Sequence, residues 1–140
     1  MIIIRKVELY QPEYAGIKDL LIVAGKIVRI EPEMEIPKSW EVVEINGEGL
    51  KAVPGFIDAH VHIAGAGGEG GPSTRTPEMQ LSMMLEAGVT TVIGCLGTDG
   101  ITRSVESVLM KTKALRAEGV SAWRSEESRV GKECRSRWSP

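Results

Sequence analysis

The reading of this chain turns on one stretch, Val53-Pro54-Gly55-Phe56-Ile57-Asp58-Ala59-His60-Val61-His62. It contains the only two histidines of the 140 residues, His60 and His62. They stand one residue apart, close an apolar run and precede a glycine-rich loop. Residues two apart on a strand point to the same face, so both imidazoles can reach one metal ion. Neutral imidazole is a common zinc ligand, and an H-x-H pair at the carboxyl end of a barrel strand supplies two ligands from one rigid element. The residues alone therefore point to a metallohydrolase, and a non-ligating pair of half-buried histidines is the bland alternative. Asp58 lies on the same face as His60. It can orient a histidine from behind, or it can serve a structural hydrogen bond at the barrel floor.

Upstream, residues 1–54 read as short strands separated by turns. Residues 2–10, 20–23, 27–30 and 40–45 are rich in β-formers, with a hairpin turn at Ala24-Gly25-Lys26 and a turn at Asn46-Gly47. No helical period fits, which predicts a small antiparallel sheet belonging to a β-sandwich-type subdomain. Downstream the pattern changes. Residues 56–63 read as a strand buried on both faces. Residues 77–87 read as a helix capped by Thr76, started by Pro77 and stopped by Gly88, with Met79, Met83, Met84 and Ala87 on one side. A buried strand follows at 89–96, then a helix at 104–118 capped by Ser104, with Val105, Val108, Leu109, Thr112 and Leu115 at helical spacing. A third strand starts at 120–123. Alternating strands and helices of this length predict βαβ units and a parallel sheet. Their short, regular spacing suits a (β/α)8 barrel at least as well as a doubly wound sheet.

Composition narrows the function classes. The chain is 42% hydrophobic and 26% charged, with a net charge of -2, which is globular. No basic stripe suggests a nucleic-acid surface, and the longest apolar runs are far short of the ~20 residues that span a bilayer. The start, Met1-Ile2-Ile3-Ile4-Arg5-Lys6, lacks the order of a signal peptide, so a cytoplasmic location is expected. The two cysteines, Cys95 and Cys134, form no CxxC or disulfide framework, and Cys95 reads as a buried thiol. Residues 124–140 break every pattern: five basic residues, three acidic residues, four serines and almost nothing apolar. This tail resembles translated sequencing-adapter sequence appended to a truncated reading frame. A native disordered tail is the alternative.

Two loops follow the carboxyl ends of the first two barrel-like strands. Residues 64–72 (AGAGGEGGP) match neither a P-loop nor a dinucleotide fingerprint. Their glycines let backbone come close to a ligand. Glu69 is the single charge among them and can bind a substrate ammonium group, or it can be a solvated loop residue. Residues 94–100 (GCLGTDG) sit at the same end. There Thr98 can hydrogen-bond a substrate, while Asp99-Gly100 reads as a turn. Arg75 can bind a carboxylate, although a solvated position suits it better.

These segments match a known pattern. VPGFIDAHVH resembles the first barrel strand of the amidohydrolase superfamily. GAGGEGGPSTRTPE, EAGVTTVIGCLGTDGITR and KTKALRAEGVSAW are similar to the isoaspartyl (β-aspartyl) dipeptidase family, over roughly residues 1–123. The resemblance implies a (β/α)8 barrel with a small β-sandwich domain: residues 1–54 in the sandwich, 55–123 as the first βα units, 124–140 outside both. It implies two zinc ions bridged by a carboxylated lysine and a hydroxide, with His60 and His62 ligating the more buried ion. Glu69 would hold the free α-amino group of an isoaspartyl substrate, beside Gly67 and Thr98. A zinc-activated hydroxide would hydrolyse the β-aspartyl peptide bond of a small dipeptide. The intact protein would be a homo-oligomer, with no nucleic-acid or membrane partner. The chain departs from the family in having no lysine at the bridging position and no further histidine, because it ends at the third strand. On that basis the 140 residues are expected not to fold stably alone and to be inactive. The alternatives are another amidohydrolase, such as a dihydroorotase- or hydantoinase-like cyclic amidase sharing His60 and His62 without needing Glu69, or a non-catalytic β-module.

Overall fold

The computed structural model describes residues 1–99 and 102–125. The polypeptide divides into two compact units, Met1–Pro54 and Gly55–Pro140.

The first unit is a sheet of five strands, β1 (Ile2–Tyr10), β2 (Tyr14–Val23), β3 (Lys26–Glu31), β4 (Val43–Asn46) and β5 (Lys51–Ala52). The order is β3-β2-β1-β4, with β5 beside the far end of β1. The β2–β3 hairpin closes through Ala24 and Gly25, both at positive φ (50° and 75°), the signature of a two-residue turn whose twist matches that of the strands. The expected all-antiparallel sheet is corrected here: β4 and β5 both pair parallel to β1. Residues 32–42 carry the chain from one edge of the sheet to the other, so it re-enters in the direction of β1. Trp40, expected within a strand, lies in the turn of that crossing. Among the described residues these five strands form one sheet. Ile3, Leu21 and Met34 form one buried cluster, and Val7, Leu9 and Leu20 another.

Between them sits a charge that the sequence reading did not single out. Asp19 is buried. It accepts hydrogen bonds from Arg5 Nη1 (2.7 Å), the Lys6 amide (2.9 Å) and the Met34 amide (3.0 Å). A buried carboxylate is tolerable only with such partners. Burial opposes its ionisation most strongly, but the bonds from Lys6, Arg5 and Met34 together hold its carboxyl below the usual range.

The second unit is a three-stranded parallel sheet, β6 (Phe56–Val61), β7 (Val89–Gly94) and β8 (Ser121–Arg124), in that order. Helices α1 (Leu81–Glu86) and α2 (Val105–Ala117) make the crossovers. The core gathers Val61, Ile63, Met84, Val92, Val108, Leu115, Val120 and Ala122. Helix α2 follows its sequence signals closely. Ser104 and Ser107 exchange side-chain-to-amide bonds in a capping box. At the other end Gly119, at φ 97°, lets Val120 N and Gly119 N bond Leu115 O and Arg116 O, a Schellman closure. Val108, Thr112 and Leu115 are its buried stripe, while Leu109 is exposed.

Three expectations are corrected in this unit. Strand β6 is not buried on both faces: Phe56 and Ile57 are 61% and 69% exposed. Burial on both faces needs layers above and below and neighbours on both edges, and among the described residues β6 has β7 on one edge only. Helix α1 starts four residues later than expected, with Gln80 at its N-cap and no side-chain cap. Thr76 cannot cap it, because its hydroxyl is bound to both the amide (2.9 Å) and the carbonyl (3.0 Å) of Ala66. Of the expected apolar side, Met84 is buried but Met83 is exposed. Finally, the third strand runs one residue further than expected, to Arg124. That residue pairs with Gly94 in β8, and Ser125 N donates to Gly94 O at 2.8 Å. Residues 126–140 lie outside the described residues.

Candidate active site

The parallel register of β6 and β7 brings three segments to the carboxyl end of the sheet. These are the histidine pair, the glycine-rich loop after β6, and the loop after β7. His60 lies in β6 and His62 just beyond it, with ring centroids 5.5 Å apart and planes at 79°. The two-residue spacing thus does put both rings on one face. The ring nitrogens divide in two. His62 Nδ1 is 3.3 Å from the carbonyl oxygen of Cys95, and His60 Nδ1 is 3.7 Å from Cys95 Sγ. Neither Nε2 has a hydrogen-bond partner among the described residues. Two Nε2 atoms on adjacent rings are a chemically apt start to a zinc shell. A catalytic zinc usually takes three protein ligands, and the described residues gather no group of three His, Cys, Asp or Glu side chains. Asp58 does not reach either ring. Its carboxylate accepts from the backbone N–H of His60 at 3.1 Å, and so steers the strand rather than the imidazole.

Glu69 and Thr98 meet across the two loops, with the Thr98 hydroxyl donating to Glu69 Oε1. That bond, then the bond from its own amide, hold the Glu69 carboxyl below its usual range, and His62 adds a smaller electrostatic pull. Glu69 is an exposed carboxylate within the field of the histidine pair. Gly67, beside it at φ 83°, allows a close approach: a Cβ there would lie 2.4 Å from Thr74 O.

The sequence reading missed what fastens these loops. Asp99, taken there as a turn residue, is bound by Thr102 N (3.0 Å) and Thr102 Oγ1 (2.5 Å). It is also ion-paired with Arg75 (2.9 Å) and Arg103 (3.5 Å). Arg103 donates in turn to Thr76 O (2.7 Å) and Ala66 O (3.3 Å). Arg75 therefore does bind a carboxylate, but an internal one. The available signal was the occurrence of RTPE and TDGITR in two loops at one end of a sheet, one acid facing two arginines. Opposite charges in separate loops are invisible as a pair until the strands are placed side by side.

Comparison with known proteins fits this geometry. No protein-family model matches the chain. A crystal structure of β-aspartyl dipeptidase from Fervidobacterium islandicum AW-1 is 43% identical, covering 88% of this chain and 34% of its own, with TM-score 0.79. The same enzyme in complex with the β-Asp-Leu dipeptide is 44% identical over 88% of this chain and 32% of its own, with TM-score 0.76. A dihydroorotase from Elusimicrobium minutum is 31% identical over 84% of this chain and 27% of its own length. The chain thus spans about a third of the solved enzymes and about a quarter of that curated relative. Among the described residues no helix is long and apolar enough to cross a membrane. By these likenesses the chain belongs to the amidohydrolase superfamily and is similar within it to the β-aspartyl dipeptidases.

Proposed function

We propose that these residues form the amino-terminal part of a zinc-dependent site that hydrolyses β-aspartyl dipeptides, built on the first units of a (β/α)8 barrel. The observation that carries this reading is the meeting of Glu69 with Thr98 beside the histidine pair. An ionised carboxylate on a glycine-rich loop suits the free ammonium group of a β-aspartyl residue, a group that dihydroorotate lacks. Thr98 fixes its direction, and Gly67, which lets the loop pack against Thr74 O, would lie beside the ammonium group. His60 and His62 would hold zinc, which when bound supplies Lewis-acid activation of water and of the scissile carbonyl. Two ligands fall short of a catalytic shell, so the 140 residues by themselves are expected to be inactive. The same reading takes the whole enzyme to be a homo-oligomer.

The test replaces the matching segment of the Fervidobacterium islandicum dipeptidase with residues 1–123 and assays β-Asp-Leu against dihydroorotate. Cleavage of the dipeptide, lost in Glu69→Gln with zinc content retained, is the expected result. Hydrolysis of dihydroorotate that is indifferent to Glu69→Gln would favour a cyclic amidase instead, the activity named for the Elusimicrobium minutum relative. Unchanged zinc content in a His60→Ala, His62→Ala double variant would reject the metal assignment.

A further inference from the structure

We infer that Cys95 is a positioning residue for both histidines, holding His60 through its side chain and His62 through its main chain, so that both rings carry the proton on Nδ1 and present an unprotonated Nε2. Cys95 is the first residue after β7 and is buried. Its amide donates to Val61 O at 2.8 Å, which locks its backbone to the residue between the two histidines. The carbonyl of Cys95 lies 3.3 Å from His62 Nδ1. A carbonyl only accepts, so Nδ1 of His62 must be the donor, and a neutral ring then leaves Nε2 with a lone pair.

For His60 the partner is the thiol of the same residue. Sγ lies 3.8 Å from Ile93 O, where the S–H donates, and 3.7 Å from His60 Nδ1. With its proton directed to Ile93, the sulfur faces His60 as an acceptor, and Nδ1–H of His60 is the donor. One residue thus sets two tautomers, by two different groups. Metal-ligating histidines need this kind of support behind the ring. Its value for zinc rests on the hydrolase reading, whereas the tautomers themselves do not.

The two groups can be separated by substitution, because only one of them is a side chain. In the chimera that carries residues 1–123, labelled with 15N-histidine, the rings of His60 and His62 are identified by the resonances that His60→Ala and His62→Ala remove. Two-bond ring correlations are recorded without metal near pH 8. Both rings are expected in the Nδ1–H form, the opposite of the form free histidine prefers in water. In Cys95→Ala, His60 alone should revert towards Nε2–H, with His62 unmoved. In Cys95→Ser, whose hydroxyl can still accept, His60 should keep its proton on Nδ1. Equal changes at both rings, no change at His60, or free-histidine tautomers at both in the unsubstituted chimera would each overturn the inference. A positive result with no effect of added zinc on either Nε2 of the chimera would leave the tautomer assignment standing and refute the metal reading alone.

Discussion

Asp99→Asn tests how the loop carrying Glu69 is held. The side chain of Asp99 is 9% exposed, and Oδ2 faces Thr102 Oγ1, Arg75 and Arg103 while Oδ1 faces the Thr102 amide. An asparagine can keep the Thr102 amide bond only by turning its NH2 towards the two guanidinium groups. Turned the other way, it places NH2 against the Thr102 N–H. Arg75 is 41% exposed and Arg103 stands 3.5 Å away, so neither pair has the strength of a buried contact, and each is worth about 1 kcal/mol after solvent screening. The donor-against-donor placement adds about 1 kcal/mol. A local loss of about 2 to 3 kcal/mol follows, a roughly 30- to 150-fold rise in the opened loop population. Native-state hydrogen exchange on the chimera that carries residues 1–123 reads this directly. The Thr76 amide, bonded to Ala66 O at 2.8 Å, is the reporter, and the Val120 amide, bonded to Leu115 O, is the control. If Thr76 exchange rises less than about threefold, or if Val120 rises equally, Asp99 is not a local fastening and the reasoning fails.

Other outcomes are equally specific. Asp19 has a depressed folded pKa, so its stabilisation is present above its unfolded pKa of about 3.9 and is lost as pH falls through the folded value. The urea-midpoint gap between the unsubstituted chimera and its Asp19→Asn variant should therefore be widest near pH 6 and shrink below about pH 4, and a gap constant with pH would contradict this. Gly67→Ala puts a Cβ 2.4 Å from Thr74 O at φ 83°. It should cost about 1–3 kcal/mol, with amide shift changes centred on residues 64–76, and changes spread over α2 instead would argue against the local clash. Leu115→Ala removes a side chain with no exposed surface and should lower the unfolding free energy of the chimera by about 2–5 kcal/mol in urea titration. A loss under about 1 kcal/mol would mean that the α2 face is not packed as described.

Local signals in the sequence determined the elements whose causes are local. The Ala24-Gly25 turn, the Ser104 cap and the Gly119 stop need only neighbouring residues, and each stands where the residues place it. The H-x-H spacing determined that two imidazoles share a face, since strand geometry has period two whatever surrounds it. Alternation of apolar residues is the same for parallel and antiparallel partners, so β4 running with β1 was decided by the tertiary path of residues 32–42. Thr76 carries a cap signature, yet Ala66, ten residues earlier, took its hydroxyl. The pairings Glu69–Thr98, Arg75–Asp99 and Cys95–His60 span 24 to 35 residues. They arise because β6 and β7 lie side by side and put their following loops at one end. The residues able to do chemistry were legible in the sequence. Which of them touch was not, because a hydrogen bond between two loops depends on strand order and register.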